Sequence, residues 1–307
     1  MSKLRVAVVG YGNIGRFSVE AVQAAPDMEL AGVIELAEVI RKLSLEGVPP
    51  VELTNIKFVS DIDELGKIDV AILCSPSRNI PEIAKAIVEK GICTVDGFDI
   101  HGDSLWELRQ MLDEAGKKHN TVSIISAGWD PGSDSVIRTL FAAMAPKGIT
   151  YTNFGPGMSM GHSVAARSKA GVKNALSMTI PTGTGVHRRM VYVELEKGAT
   201  LEAVTADIKS DAYFSKDETH VIPVESVDAL QDMGHGVFIE RKGVSGKTQN
   251  QIFEYRMRIN NPALTAQVLV SCARAAVKQR PGCYTMPEIP PIDYLMGERK
   301  ALVKTLV

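Results

Sequence analysis

The chain has 307 residues and a formal net charge of −2, with 45% hydrophobic and 23% charged residues. That near-neutral balance excludes the basic field that nucleic acid or an anionic membrane surface attracts, and no apolar run approaches the roughly 20 residues of a bilayer-spanning helix. The composition fits a globular enzyme of one large or two moderate domains, with enough chain for a sizeable core. The N-terminus lacks the apolar segment of a signal peptide. Cys74, Cys93, Cys272 and Cys283 are scattered without Cys-x-x-Cys or Cys/His metal spacing. The expectation is a cytoplasmic protein with free thiols and no bound metal.

In chain order, the first strand is expected at Arg5–Val9, and it runs directly into Gly10-Tyr11-Gly12-Asn13-Ile14-Gly15. A β-branched run followed by G-x-G-x-x-G and a helix-compatible stretch, Phe17–Ala25, reads as a dinucleotide-binding strand–turn–helix. Gly10 permits the tight turn, Gly12 lets the backbone approach a pyrophosphate, and Gly15 lets helix and strand pack closely. The pyrophosphate would sit on the helix N-terminus, where unpaired N–H groups favour an anion. A second strand at Leu30–Ile34 ends at Glu35. A carboxylate there accepts hydrogen bonds from the ribose hydroxyls and repels a 2′-phosphate, which favours NAD over NADP; Arg41 and Lys42 follow closely and offer positive charge. Further strands are expected at Val70–Cys74, Thr94–Val95 and Val122–Ile125, with helices at Ile80–Glu89 and Leu105–His119. This alternation predicts an α/β, Rossmann-type doubly wound parallel sheet over residues 1–127. Cys74, Ser75, Pro76 and Ser77 would then lie at the carboxyl edge of the sheet, among the cofactor contacts.

After Trp129 the pattern changes. Strand candidates at Met190–Leu195, Gly236–Arg241 and Gln251–Ile259, with helices between them, predict a second α+β domain with a mixed sheet over residues 128–261. Glycine and proline cluster at Gly155-Pro156-Gly157 and Pro181–Gly185, marking turns or site loops. Asn261-Pro262 opens a long apolar helix pattern, Ala263–Lys278, and residues 262–307 are expected to pack back on the first domain. Asp96 and Asp99 follow one strand of the first domain, and Ala127-Gly128-Trp129-Asp130-Pro131-Gly132 follows the next. Asp99 and Asp130 at neighbouring strand ends could hold an ammonium group together, although an Asp before Pro-Gly is often an ordinary turn or cap. The glycine-rich stretch from Gly155 to His162 suits close backbone approach to a ligand. Thr179, Arg189, His235 and Asn261 are candidate carboxylate binders, each commonplace when taken singly.

Val-Val-Gly-Tyr-Gly-Asn-Ile-Gly-Arg (8–16), Thr-Val-Asp-Gly-Phe-Asp (94–99), Ser-Ala-Gly-Trp-Asp-Pro-Gly (126–132), Phe-Gly-Pro-Gly-Met-Ser-Met-Gly-His-Ser (154–163), Gly-His-Gly (234–236) and Asn-Asn-Pro (260–262) resemble the meso-diaminopimelate dehydrogenase family over nearly the whole chain. The resemblance implies NAD(P)-dependent oxidative deamination of the D-centre of meso-2,6-diaminopimelate. The products are L-2-amino-6-oxopimelate and ammonia, and the reverse reaction leads towards lysine. It implies that Asp99 and Asp130 hold the reacting amino group beside Trp129, and that Phe154, Met160 and Gly161 line the pocket. Thr179, Arg189, His235 and Asn261 would secure the distal L-centre, and the protein would be a homodimer formed through its second domain. Members usually carry two arginines after the second strand, whereas this chain reads Ile34-Glu35-Leu36-Ala37. That departure again points to NAD. The shorter-chain branch, which the second domain resembles, includes members that reductively aminate simple 2-keto acids to D-amino acids. Two alternatives are another two-domain amino-acid-pathway dehydrogenase or reductase, and a catalytically silent nucleotide sensor. The first would carry its own basic or lysine-centred motif, absent beside the Gly-Trp-Asp-Pro-Gly segment. The second leaves the substrate set unexplained.

Overall fold

The computed structural model describes residues 3–45, 56–231 and 234–307. The chain forms two compact units, one of Met1–Val136 with Pro262–Val307 and one of Ile137–Asn261. The division between them falls inside a helix rather than at residue 127, because the turn after Trp129 still closes on the first unit's own backbone.

The first unit begins with β1 (Leu4–Val9), α1 (Asn13–Ala24), β2 (Met28–Ile34), α2 (Ala37–Leu45), β3 (Phe58–Val59), β4 (Val70–Leu73), α3 (Ile80–Glu89), β5 (Cys93–Asp96), α4 (Asp103–His119), β6 (Val122–Ile125) and α5 (Ser133–Met144), which runs into the second unit. The second unit continues with β7 (Lys147–Phe154), β8 (Gly157–Met158), α6 (Met160–Arg167), β9 (Val172–Gly183), β10 (Val186–Leu195), α7 (Leu201–Ser210), β11 (Glu218–Pro223), β12 (Gly234–Ser245) and β13 (Thr248–Asn260). The chain then returns to the first unit through α8 (Asn261–Ala276), β14 (Gly282–Thr285) and α9 (Arg299–Leu306).

The first unit's sheet is parallel, in the order β14-β6-β5-β4-β1-β2-β3. Every residue of β4 and β6 is buried, as expected for parallel strands covered on both faces. One face packs Val6, Ile72, Val95 and Ile124 against Leu269 and Ala273 of α8. The other packs Leu73 and Ile125 against Ile80 and Ala84 of α3 and Leu112 of α4. The edge strands β3 and β14 escape sequence reading because they are short and exist through pairing with β2 and β6, not through their own periodicity. The helix α2 was likewise not expected.

In the second unit the mixed sheet resolves into two sheets. The order β11-β10-β9-β8 has a parallel β10–β11 pair and antiparallel neighbours elsewhere, while β13-β12-β7 is antiparallel throughout. The break falls at Gly155-Pro156, where proline has no N–H to donate to a ladder. All four cysteines are free, and among the described residues no helix is long and apolar enough to cross a membrane.

Arg274 of α8 ties the returning segment to the turn before β2, with its Nε 2.5 Å and Nη2 2.9 Å from the two carboxylate oxygens of Asp27. The guanidinium holds the Asp27 carboxyl below its ordinary range. Replacing Arg274 with Met should destabilise the protein by about 1–3 kcal/mol at neutral pH in urea unfolding. A depressed carboxylate stabilises above its unfolded pKa and loses that contribution as pH falls through the folded one. The gap between wild type and variant should therefore persist down to about pH 4 and close below it; a gap independent of pH would contradict the assignment.

Candidate active site

Gly10 follows β1 with φ +94, and a Cβ there would lie 3.1 Å from the Cys74 carbonyl oxygen. A Cβ on Gly15 would overlap the Gly10 carbonyl, whereas one on Gly12 would meet nothing within 4 Å. The turn is thus closed beneath and open above. α1 starts at Asn13, with Ile14 and Gly15 in its first turn, no side-chain cap and no acidic residue. Its first N–H groups have no intrahelical acceptor. The Glu35 carboxylate spans the ends of β1 and β2, accepting from the Tyr11 N–H at 2.7 Å and the Leu36 N–H at 2.8 Å. Arg41 and Lys42 lie in the second turn of α2.

After β4, the Cys74 thiol lies 3.5 Å from the Ser18 hydroxyl, and burial pushes it up to about 12. Cys74 therefore packs beneath the turn as a neutral thiol. Ser75 and Pro76 carry the chain outward to Ser77, whose hydroxyl accepts from the Asp99 N–H at 3.3 Å. Asp99 is exposed beyond the end of β5. Beyond β6, Trp129 is buried at 5% exposure and Asp130 is half-buried. Their turn is closed by Gly128 N–H to the Pro131 carbonyl at 2.9 Å and Asp134 N–H to the Trp129 carbonyl at 3.1 Å. The expected residues of this unit thus occupy one edge, in the strand order β6, β5, β4, β1, β2. At about 4.8 Å per strand, that edge spans roughly 19 Å.

The remaining candidates lie in the second unit, distributed over its two sheets. Thr179 pairs with Arg189 across the two strands. The Arg189 guanidinium donates from Nη1 to the Thr179 hydroxyl and from Nε to Asp217 at 2.6 Å. Asp217, just before β11, was not singled out from sequence; flanked by Lys216 and Glu218, it looks like one charge in a solvated loop. Phe154 ends β7, where its N–H donates to His187 Nε2 at 2.9 Å and its ring lies 5.5 Å from the imidazole. Met160 opens α6, Gly161 follows it, and Met160 packs with Met158, Leu176 and Val227. A Cβ on Gly157 would come within 2.6 Å of the His235 Cα, so this loop lies directly against β12. His235 is buried at 7% exposure. Asn261 follows β13 at the point where Asn260 pairs with Gly234. His162 is held by Ser159 Oγ at 2.7 Å and packs edge-on against Tyr213 and Phe214. Burial and then the Arg189 cation lower its pKa to about 4, so it is a neutral structural imidazole.

The family whose model is described as "Oxidoreductase family, NAD-binding Rossmann fold" matches residues 4–125. That described as "Diaminopimelic acid dehydrogenase C-terminal domain" matches residues 128–186. The meso-diaminopimelate D-dehydrogenase of Bacteroides fragilis is 62% identical over 307 residues, covering 100% of each chain. The chain belongs to the meso-diaminopimelate D-dehydrogenase family. This dehydrogenase is an NAD(P)-dependent oxidoreductase. It is similar in structure to the diaminopimelate dehydrogenase of Corynebacterium glutamicum described in complex with DAP, with 29% identity, a TM-score of 0.88 and 100% of both chains covered. It is also similar to an engineered D-amino acid dehydrogenase bound to NADP+, with 27% identity, a TM-score of 0.84 and 100% of both chains covered.

The turn of this dehydrogenase fits a dinucleotide. The space above Gly12 and the uncapped, acid-free start of α1 leave room for an anionic group such as a pyrophosphate, and Glu35 is fixed beside the turn by the Tyr11 N–H. Gly12 has φ −75, which alanine adopts without strain. Gly12→Ala should therefore fold with an unchanged melting temperature yet lose the stabilisation that added cofactor gives. Gly15→Ala should destabilise the apoprotein by about 1–3 kcal/mol, because its Cβ has no room. Thermal shift with and without NAD reads both; undiminished cofactor stabilisation of Gly12→Ala would contradict this account.

Proposed function

We propose that the protein catalyses the reversible oxidative deamination of the D-centre of meso-2,6-diaminopimelate to L-2-amino-6-oxopimelate, which cyclises to tetrahydrodipicolinate, and ammonia, a reaction of lysine biosynthesis. The observation that carries this reading is the pair of carboxylates, Asp99 and Asp130, following the adjacent strands β5 and β6 on the same edge as the glycine-rich turn. Trp129, Asp99 and Asp130 serve the reacting centre, while Phe154, Met160 and Gly161 shape its surroundings. Thr179, Arg189, His235 and Asn261 bind the distal centre. Arg189 is suited to a carboxylate because Asp217 and Thr179 already orient its planar fork.

The nicotinamide ring, when bound, supplies the hydride acceptor for the D-centre Cα–H. The chain's residues do the rest. Asp99 and Asp130 hold the substrate ammonium, and one of them, directly or through water, takes the proton that must leave nitrogen before a C=N bond forms. Water adds to that carbon, ammonia departs, and the ketone remains.

The cofactor we infer is NAD. Glu35 offers a fixed carboxylate to a ribose diol and a repulsive one to a 2′-phosphate. Charge-assisted hydrogen bonds contribute roughly 1.5–3 kcal/mol each, enough for a tenfold preference or more. We also infer a homodimer through the second unit. The α5 ring Phe141 covers one face of the β13-β12-β7 sheet beside Phe253, while Ile149 and Ile252, 51% and 58% exposed, flank Lys242 on the other.

Initial rates of cofactor reduction with meso-2,6-diaminopimelate should favour NAD over NADP by about tenfold or more in kcat/KM, and Glu35→Arg should reverse the order. Turnover with NADP alone would overturn the role given to Glu35, and no turnover with either would overturn the reaction. In solution, light scattering should give twice the mass of the chain, and Ile252→Lys should shift it towards one chain. A wild-type monomer would contradict the dimer.

A further inference from the structure

Asp96 ends β5 with 0% exposure. Its Oδ1 accepts from two backbone donors, the Phe98 N–H at 2.9 Å and the Ser126 N–H at 3.3 Å. Two more hydrogen bonds close the same knot: Ser126 Oγ donates to the Phe98 carbonyl at 2.7 Å, and the Ala127 N–H donates to the Asp96 carbonyl at 2.7 Å. Ser126 has φ +52, a left-handed conformation that a serine keeps only when its surroundings hold it. Phe98 is the residue before Asp99, and Ser126–Ala127 leads within a few residues to Trp129 and Asp130.

We propose that Asp96 is a positioning residue for the reacting centre, its buried carboxylate fixing the loop that carries Asp99 to the loop that carries Trp129 and Asp130. The proposal rests on the reading that Asp99 and Asp130 hold the substrate's D-amino group. The other oxygen of Asp96, Oδ2, is buried without a hydrogen-bond partner. Asp96 lies in register with Leu73 of β4, beside the apolar cluster that includes Phe98, Ile125 and Cys283. An unsatisfied carboxylate oxygen in such a place destabilises the fold and calls for a reason outside packing. Burial pushes the Asp96 carboxyl up to about 7 against the pull of its two N–H donors. The group is thus kept for its acceptor geometry rather than for a full charge. That geometry sets the spacing of two catalytic loops, and a displacement of about 1 Å at a reacting centre can lower a rate on the order of 100-fold.

The test uses the full-length enzyme, NAD and meso-2,6-diaminopimelate, with and without deuterium at the D-centre Cα. Asp96→Leu removes the acceptor. It should lower kcat about tenfold or more and raise the deuterium isotope effect on kcat, while the Kd for NAD stays within about twofold. Asp96→Asn keeps an acceptor oxygen for both N–H groups and should stay within about threefold of wild type. Ser126→Ala removes only the Oγ bond to Phe98; it should lose about threefold in kcat with a raised isotope effect, and it decides the matter if Asp96→Leu does not fold. Wild-type kcat per folded enzyme and an unchanged isotope effect in Asp96→Leu and Ser126→Ala would overturn the positioning role. Asp99→Asn separates this from the underlying reading. Full activity there overturns the assignment of Asp99 on which the proposal rests, whereas its loss beside an unaffected Asp96→Leu overturns the positioning role alone.

Discussion

The parallel register of β6, β5, β4, β1 and β2 governs the chemistry of the first unit, because it brings the carboxyl ends of all five strands to one edge. Buried on both faces, such strands leave little room for polar side chains along their length. β4 has none. Polar groups therefore accumulate where the strands stop: Glu35 after β2, Ser75 and Ser77 after β4, Asp96 and Asp99 at the end of β5, and Ser126 and Asp130 after β6. The switch point of the sheet, with β4 on one side of β1 and β2 on the other, puts the glycine-rich turn among them.

The second unit meets a different demand. An arginine proposed to bind a carboxylate needs to be partly desolvated and held in one orientation. Arg189 has its Nε on Asp217 and its Nη1 on Thr179, the cross-strand neighbour that shares its face. The same cation, after burial, helps hold His187 and His162 below their ordinary pKa. His162 is thus neutral at physiological pH, and His187 accepts the Phe154 N–H through its Nε2. Glycine does the complementary work at Gly157, where the absence of a Cβ lets the loop after Phe154 lie against His235.

Much of this was legible in the sequence, and what was hidden shares a physical cause. The inner strands of the parallel sheet read clearly because continuous apolar, β-branched runs have few other uses, and Glu35 stood out by its place after β2. The edge strands β3 and β14 carry no such signal, since a two- or four-residue strand depends on its partner. Two sheets in place of one followed from a local backbone event at Gly155-Pro156. Long-range polar pairing was the least visible. Nothing in Lys216-Asp217-Glu218 announces that the middle residue meets Arg189. Asp96 was visible as an acid after a strand, but its link to Ser126 exists only once β5 and β6 lie side by side. The placement of Asp99, Asp130, Arg189 and Asn261 came from long motifs, not from periodicity.

The central claim is that this arrangement passes a hydride from one stereocentre of a substrate with two. The direct measurement is isotopic: meso-2,6-diaminopimelate deuterated at the D-configured Cα alone is turned over with NAD, and the reduced cofactor and released ammonia are both analysed. The account predicts one deuterium in the reduced nicotinamide for each ammonia formed, and none when the label sits on the L-centre instead. Unlabelled cofactor from the D-labelled substrate, or label arriving from the L-centre, would contradict it.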